Sequence, residues 1–258
     1  MPEETGLKRY FGYDLGVILA SKIRAVDSGF DDEAFLQEVR TSDLGELELM
    51  ARVDLLARKL NSHLPGPYTE ALAVLVDIYG PENPNETGMF NFGYWLWPIA
   101  RFIEVYGLDD FETSIDAIEE LTKRHTGEFA VRPYIEARPA EMARIMRKWA
   151  SSENVHVRRL ASEGLRPRLP WARKLRVFIS EPKPVFDVLD MLKDDQSKFV
   201  QKSVANNVND YLKDNRPEAI ALLGRWTQGA SQQSRWVIKH ALRNELKRGE
   251  PDALALVQ

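Results

Sequence analysis

Apolar residues recur at three- and four-residue spacing along almost the whole chain, a period that predicts helices and leaves little room for strands. In the first third, Leu7 to Val26, Asp32 to Val39, Leu44 to Leu60 and Tyr68 to Tyr79 each carry such a stripe, separated by the breaker clusters SGFDD, RTSD and NSHLPGP. These read as short helices in hairpins. In the third, Leu44, Leu47, Met50, Ala51, Asp54 and Leu55 trace the stripe, with Glu46, Glu48 and Arg52 outside it. A stripe alone predicts packing, so this region reads as scaffold. Gly80 to Gly93, GPENPNETGMFNFG, is the longest loop signal. Tyr94, Trp95, Trp97 and Phe102 follow at a spacing that suits filling between helix layers better than stacking on bases. A helix from Phe111 to Arg124 then leads into HTGEFAVRPYIEA, where Gly127 and Pro133 punctuate the pattern and Glu128 stands beside the break.

Val155 to Trp171, VHVRRLASEGLRPRLPW, has two halves. The first is helical, with Val157, Leu160, Ala161 and Gly164 on a dry stripe and His156, Arg159 and Glu163 on a charged face. The second, Leu165 to Trp171, packs two arginines and two prolines into seven residues before a tryptophan, so it must leave the helix. From here an internal repeat emerges. The hexamers beginning at Val157, Val200 and Val237 share Val, then Arg or Lys two residues on, then small apolar residues, at separations of 43 and 37. That period suits helix hairpins of the HEAT or armadillo kind. The chain is therefore expected to be all-α, one HEAT-like repeat α-solenoid domain over residues 1–258. The same register aligns Arg159 and Glu163 with Lys202, Asn206 and Asp210, and with Lys239, Arg243 and Lys247. If equivalent helices line one wall, the concave face is basic, with Glu163 and Asp210 as its exceptions.

Charge sharpens this division. Residues 1–120 hold 9 Lys and Arg against 23 Asp and Glu, an acidic helical scaffold; residues 121–248 hold 26 against 14, the basic repeats. Such asymmetry points to a polyanion-binding face on the basic half, or to halves that attract one another. The absence of cysteine removes disulfides, thiolate metal sites and thiol nucleophiles. His63, His125, His156 and His240 lie too far apart for a local ligand pair, so neither metal nor cofactor is expected. No window reaches the roughly 18 apolar residues of a membrane span, and MPEETGLKRYFG lacks a signal pattern, so a soluble cytoplasmic protein is expected. Phosphate-loop, HExxH and GxSxG motifs are absent.

A carboxylate on a phosphate-binding wall costs affinity, and a cationic target would explain it. The plain alternative is that Glu163 pairs with Arg159 and Asp210 with a nearby lysine, surface ion pairs worth at most about 1 kcal/mol each.

HVRRLASEGLRPRLPW, TGEFAVRPYI, KDDQSKFVQKSVANNVNDYLKDNRPEAI with the following Trp226, and the amino-terminal pattern from LKRYFG to LELMARV resemble the AlkC branch of the HEAT-like-repeat alkylpurine DNA glycosylases. The ASEGLRPRLPW and SVANNVND strings are specific; the HEAT period is not. The resemblance implies a bacterial, nucleoid-associated base excision repair enzyme that acts as a monomer on duplex DNA. It would release positively charged N3-alkylated bases, 3-methyladenine foremost and 3-methylcytosine in this branch, without fully extruding the base. Position by position, the family's active-site acids fall on Glu128, Glu163 and Asp210 and its tryptophan on Trp171. Asp210 is expected to handle the water, Glu128 and Glu163 to hold the cationic nucleotide, and Trp171 to lie against it. Arg159, Arg166, Arg168, Lys202, Lys239 and Arg243 are expected to grip phosphates. Some AlkC members continue into an immunoglobulin-like domain; the expectation here is the form without one. The competing readings are a non-enzymatic HEAT-like protein that recognises bent or branched DNA by shape, and a solenoid that binds an acidic peptide.

Overall fold

A computed structural model describes residues 6–88 and 92–258. Met1–Thr5, the start of the stretch read for a signal pattern, and Met89–Asn91, within the expected loop, lie outside the described residues. No strand occurs among the described residues, and none of their helices is long and apolar enough to cross a membrane. The chain divides into two compact units, Met1–Val131 and Arg132–Gln258. The packing boundary thus falls about ten residues beyond the boundary in charge.

The first unit contains α1 (Tyr13–Val26), α2 (Asp32–Arg40), α3 (Leu49–His63), α4 (Tyr68–Asp77), α5 (Trp97–Tyr106) and α6 (Phe111–Thr122), with 3₁₀ turns at Leu7–Phe11, Leu44–Glu46 and Tyr94–Leu96. Two expected helices are each split. Gly12 is extended and separates Leu7–Phe11 from α1, and extended Leu47 and Glu48 separate Leu44–Glu46 from α3. Of the aromatic run, Trp97 and Phe102 are buried as expected, with Trp97 stacked on Phe129 at 5.4 Å and meeting Phe11 edge-on, whereas Tyr94 and Trp95 are half-buried. The loop before it needs glycine at Gly93, where φ is +67° and a Cβ would lie 2.6 Å from the Arg124 carbonyl oxygen. Arg52 is a correction to the sequence reading. It is buried, and its guanidinium donates to the Leu47, Lys8 and Gly45 carbonyls at 2.9, 3.1 and 2.9 Å. The non-helical backbone around it leaves acceptors that the side chain satisfies.

The second unit is built from α7 (Arg132–Ala137) and the hairpins α8 (Pro139–Ala150)–α9 (Val155–Glu163), α10 (Lys183–Leu192)–α11 (Lys198–Asp214) and α12 (Arg216–Thr227)–α13 (Gln232–Ala241), followed by α14 (Arg243–Arg248) and α15 (Pro251–Ala255). Helices α9, α11 and α13 pack side by side in one layer, and α8 packs on α10 in the other, the HEAT-like stacking read from the repeat. Val157, Val200 and Val237 are all fully buried at equivalent positions. The layer is also keyed by polar bonds. From α11, the Asn207 amide donates to the Ser162 carbonyl at 2.7 Å on one side, and the Asn209 amide to the Ala241 carbonyl at 2.6 Å on the other. Buried amides must be bonded, so these two fix the register of α11 between its neighbours. In the third repeat the helix is interrupted at Leu242, so Lys239 lies on α13 while Arg243 and Lys247 lie on α14.

Candidate functional site

The site begins with a difference in helix length. Asn154 and Ser197 cap α9 and α11 at equivalent positions, each accepting from the backbone N–H groups two and three residues on. Helix α9 then stops after 9 residues at Glu163, where Gly164 and Pro167 interrupt it, whereas α11 continues for 17 residues to Asp214. The turns missing from α9 are replaced beside the end of α11 by the loop that carries Arg166, Arg168 and Trp171. Glu163, the last residue of one helix, and Asp210, one turn beyond its counterpart on the next, therefore face that loop.

Arg166 joins them. Its Nη1 lies 2.8 Å from Glu163 Oε1 and its Nε 2.9 Å from Asp210 Oδ2. Glu163 Oε2 accepts from Ser203 Oγ at 2.5 Å, and the Arg159 guanidinium stands 3.6 Å from Oε1. Asp210 Oδ2 also accepts from the Arg168 backbone N–H at 3.3 Å, and Lys213 lies 4.0 Å from Oδ1. The pairs expected as surface contacts, with Arg159 and with a lysine, do form, but they are the longer ones. Both carboxylates are buried, with side chains only 6% and 4% exposed. His156, placed on the charged face by its spacing, is also buried, edge-on to Phe199.

Burial and charge push the two acids apart. For Glu163, burial raises the pKa, but Arg159, Arg166 and the Ser203 hydroxyl together outweigh it and hold the group below its ordinary value. For Asp210, burial is the largest influence and prevails over Arg166 and Lys213, so its pKa is raised. Burial also disfavours the Arg166 charge, yet the two carboxylates push its pKa up. Two acids in one cluster with opposite shifts fit division of labour: one a fixed anion, the other able to take a proton.

The loop itself is anchored. Arg132, at the start of α7, donates to the Arg166 and Arg173 carbonyls at 2.9 and 2.6 Å, and Arg168 forms a two-bond pair with Asp214 at 2.9 and 2.7 Å. Trp171 is 56% exposed with φ +62°, a conformation that costs a bulky L residue about 1–3 kcal/mol and is found where surroundings impose it.

Of the remaining expected phosphate ligands, Lys202 and Lys239 are exposed. Arg159 stands over the Phe199 ring at 4.7 Å. Arg243 donates to Asn206 Oδ1 at 3.0 Å and to the His240 carbonyl at 2.7 Å; burial and nearby Arg166 lower its pKa against the pull of Asp210. Beside it, Trp236, Lys239, His240, Arg243 and Leu246 line a cavity of about 350 Å³. The structure thus brings Glu163, Asp210, Arg166 and Arg159 into one cluster, with Arg243 beside it and Trp171 on the shared loop. Glu128 belongs to the first unit, where it is buried and accepts from Thr126 Oγ1 at 3.0 Å. Sequence reasoning missed Ser203 and Arg132. Ser203 carried a signal, because it occupies the register position of buried Leu160 with a hydroxyl that needs a partner.

A family model described as DNA alkylation repair enzyme matches residues 116–244. The uncharacterized protein YhaZ of Bacillus subtilis (strain 168) is 38% identical over 250 residues, 97% of this chain and 67% of that protein. The structure of Pseudomonas fluorescens alkylpurine DNA glycosylase AlkC bound to DNA containing an abasic site analog matches with a TM-score of 0.87 and 33% identity, covering 98% of this chain and 68% of that one. The chain belongs to the family of DNA alkylation repair enzymes, in its AlkC branch.

Proposed function

We propose that the protein is a monofunctional DNA glycosylase that hydrolyses the N-glycosidic bond of cationic N3-alkylated bases, 3-methyladenine foremost and 3-methylcytosine also, in duplex DNA. The observation that carries this reading is the buried pair of Glu163 and Asp210, converging on one cation with their pKa values pushed in opposite directions. An N3-alkylated base already bears a positive charge. When the C1′–N bond breaks, the base keeps the bonding electrons and leaves neutral, so no general acid is needed. Positive charge passes to the deoxyribose as oxocarbenium character. Fixed anions aimed at the sugar in a water-poor site stabilise the charge developing there more than the charge on the base of the intact substrate, which is the condition for catalysis.

In this scheme Glu163, held ionised, faces the cation. Asp210, with its raised pKa, accepts a proton from the attacking water as oxygen bonds to C1′, leaving an abasic sugar. Trp171 is assigned to the face of the nucleotide, a cation–π contact worth about 0.5–2 kcal/mol. Lys202, Lys239, Arg159 and Arg243 grip phosphates, and Arg166 and Arg168 hold the acids and the loop. The base is not fully extruded in this scheme, as the resemblance to the AlkC branch implies. The relative bound to DNA with an abasic site analog was solved with a mimic of the product this reaction would leave.

The test is incubation with methylated genomic DNA and chromatographic identification of the released bases. Release of 3-methyladenine by the wild type, and its loss in Asp210→Asn with duplex affinity retained, is the expected result. No base released above a boiled control would overturn the reading in favour of recognition of bent or branched DNA by shape.

A further inference from the structure

The guanidinium between the acids poses a problem for the reaction it adjoins. The oxygens that would face the substrate's positive charge already face Arg166, at Glu163 Oε1 and Asp210 Oδ2. A second cation brought to the same oxygens competes with a guanidinium already paired with them, beside Arg159 and Lys213, in a poorly screened site. Without Arg166, the two buried carboxylates would keep only the longer pairs, Glu163 with Arg159 at 3.6 Å and Asp210 with Lys213 at 4.0 Å, and would repel the phosphates of approaching DNA more strongly.

The geometry shows which part can move. The Arg166 backbone is pinned, with its N–H bonded to the Glu163 carbonyl at 3.2 Å and its carbonyl accepting from Arg132 Nη1 at 2.9 Å. Its third nitrogen, Nη2, reaches only the Arg168 carbonyl at 3.5 Å, the limit of a hydrogen bond. An exchange of partners therefore requires only the side chain to rotate away from Glu163 Oε1 and Asp210 Oδ2, with the loop fixed. A phosphate oxygen is a strong alternative partner for a guanidinium.

We propose that Arg166 is an internal stand-in for the substrate's positive charge: it holds Glu163 and Asp210 in the free protein and leaves both for a DNA phosphate only when a cationic nucleotide takes its place. The proposal rests on the reading of Glu163 and Asp210 as the acids that meet the cation. Undamaged bases are neutral and bring nothing to replace the guanidinium, so they leave the acids neutralised and inactive. A cationic base makes the exchange balanced, since one positive charge enters as another leaves. Discrimination then lies in charge, without a pocket that measures base shape.

The experiment compares duplexes carrying a cationic pyrrolidine abasic analogue or the neutral tetrahydrofuran analogue, with dissociation constants measured for the wild type, Arg166→Gln and Arg166→Lys. With the stand-in removed, Arg166→Gln is expected to raise the preference for the cationic over the neutral duplex about tenfold, while Arg166→Lys, which keeps the charge but can reach only one of the two acids, falls between the wild type and Arg166→Gln. Parallel loss of affinity for both duplexes, with the preference unchanged, would make Arg166 an ordinary phosphate ligand and overturn the proposal. The wild type supplies a second measurement that survives a folding defect in the variant. The Arg166 Nε–H resonance, assigned by comparison with Arg166→Lys, should move on adding the cationic duplex and not the neutral one; an identical response to both overturns the proposal. Binding and excision separate the two readings. A raised preference without base release retains the exchange and removes the glycosylase, and base release with a flat preference does the reverse.

Discussion

Asp210→Asn and Glu163→Gln are both neutral, near-isosteric replacements of a buried acid, and the structure gives them opposite consequences for stability. Asp210 has its pKa raised in the fold, chiefly by burial, so its ionised form is disfavoured relative to the unfolded chain. Its contribution to stability is fully present below the unfolded pKa and is lost as pH rises through the folded one, which leaves the group a liability at neutral pH. Asn removes that liability while its side-chain oxygen can still accept from Arg166 Nε and the Arg168 N–H, now 2.9 and 3.3 Å away. The variant is expected to lie within about 1 kcal/mol of wild-type stability, or above it. Glu163 has its pKa lowered, because two guanidiniums and the Ser203 hydroxyl overcome burial. Its contribution is present above the unfolded pKa and is lost as pH falls through the folded one. Gln removes a charge-assisted bond worth about 1.5–3 kcal/mol. At about 2–4 °C per kcal/mol for a chain of this size, Glu163→Gln should melt about 3–12 °C lower at pH 7.5, and Asp210→Asn should melt near the wild type or higher. Single-turnover excision should nevertheless fall about 10²–10⁴-fold in Asp210→Asn, the usual contribution of a positioned general base. Calorimetry and base release on the same preparations decide it. An Asp210→Asn protein that melts as low as Glu163→Gln and still excises would show Asp210 to be a structural ion pair.

Further outcomes follow from the loop and the lysines. Trp171→Gly should gain about 1 kcal/mol by relieving the left-handed backbone, seen as a raised melting temperature, while excision falls. Arg132→Lys cannot span both the Arg166 and Arg173 carbonyls, so the loop should become more susceptible to limited proteolysis, with kcat lowered more than duplex affinity. The double variant Lys202→Ala, Lys239→Ala should reduce the slope of log affinity against log salt by about 2 and leave single-turnover chemistry at saturation unchanged; an unaltered slope would take both lysines off the DNA.

How much of this was legible in the sequence depends on the range of the interactions. The buried valines at Val157, Val200 and Val237 were readable because a repeat's core face follows the helical period. The adjacency of Glu163 and Asp210 was half readable: register put them on neighbouring helices, and the break at Gly164 and Pro167 shortened one of them. What no local pattern could supply is a side chain reaching out of a loop. Arg166 is three residues from Glu163 but forty-four from Asp210, and its bridge depends on a loop conformation imposed by Arg132 and Asp214. Arg52 was misread for the same reason, since its acceptors are carbonyls exposed by breaks in the helix rather than partners on its own face. The two errors point the same way. An arginine beside a predicted helix break has unsatisfied carbonyls within reach and a side chain long enough to be drawn inward. In a basic repeat domain such arginines should be counted as internal counter-ions before they are counted as ligands for DNA, and the phosphate grip should be sought among lysines such as Lys202 and Lys239, which the fold leaves exposed.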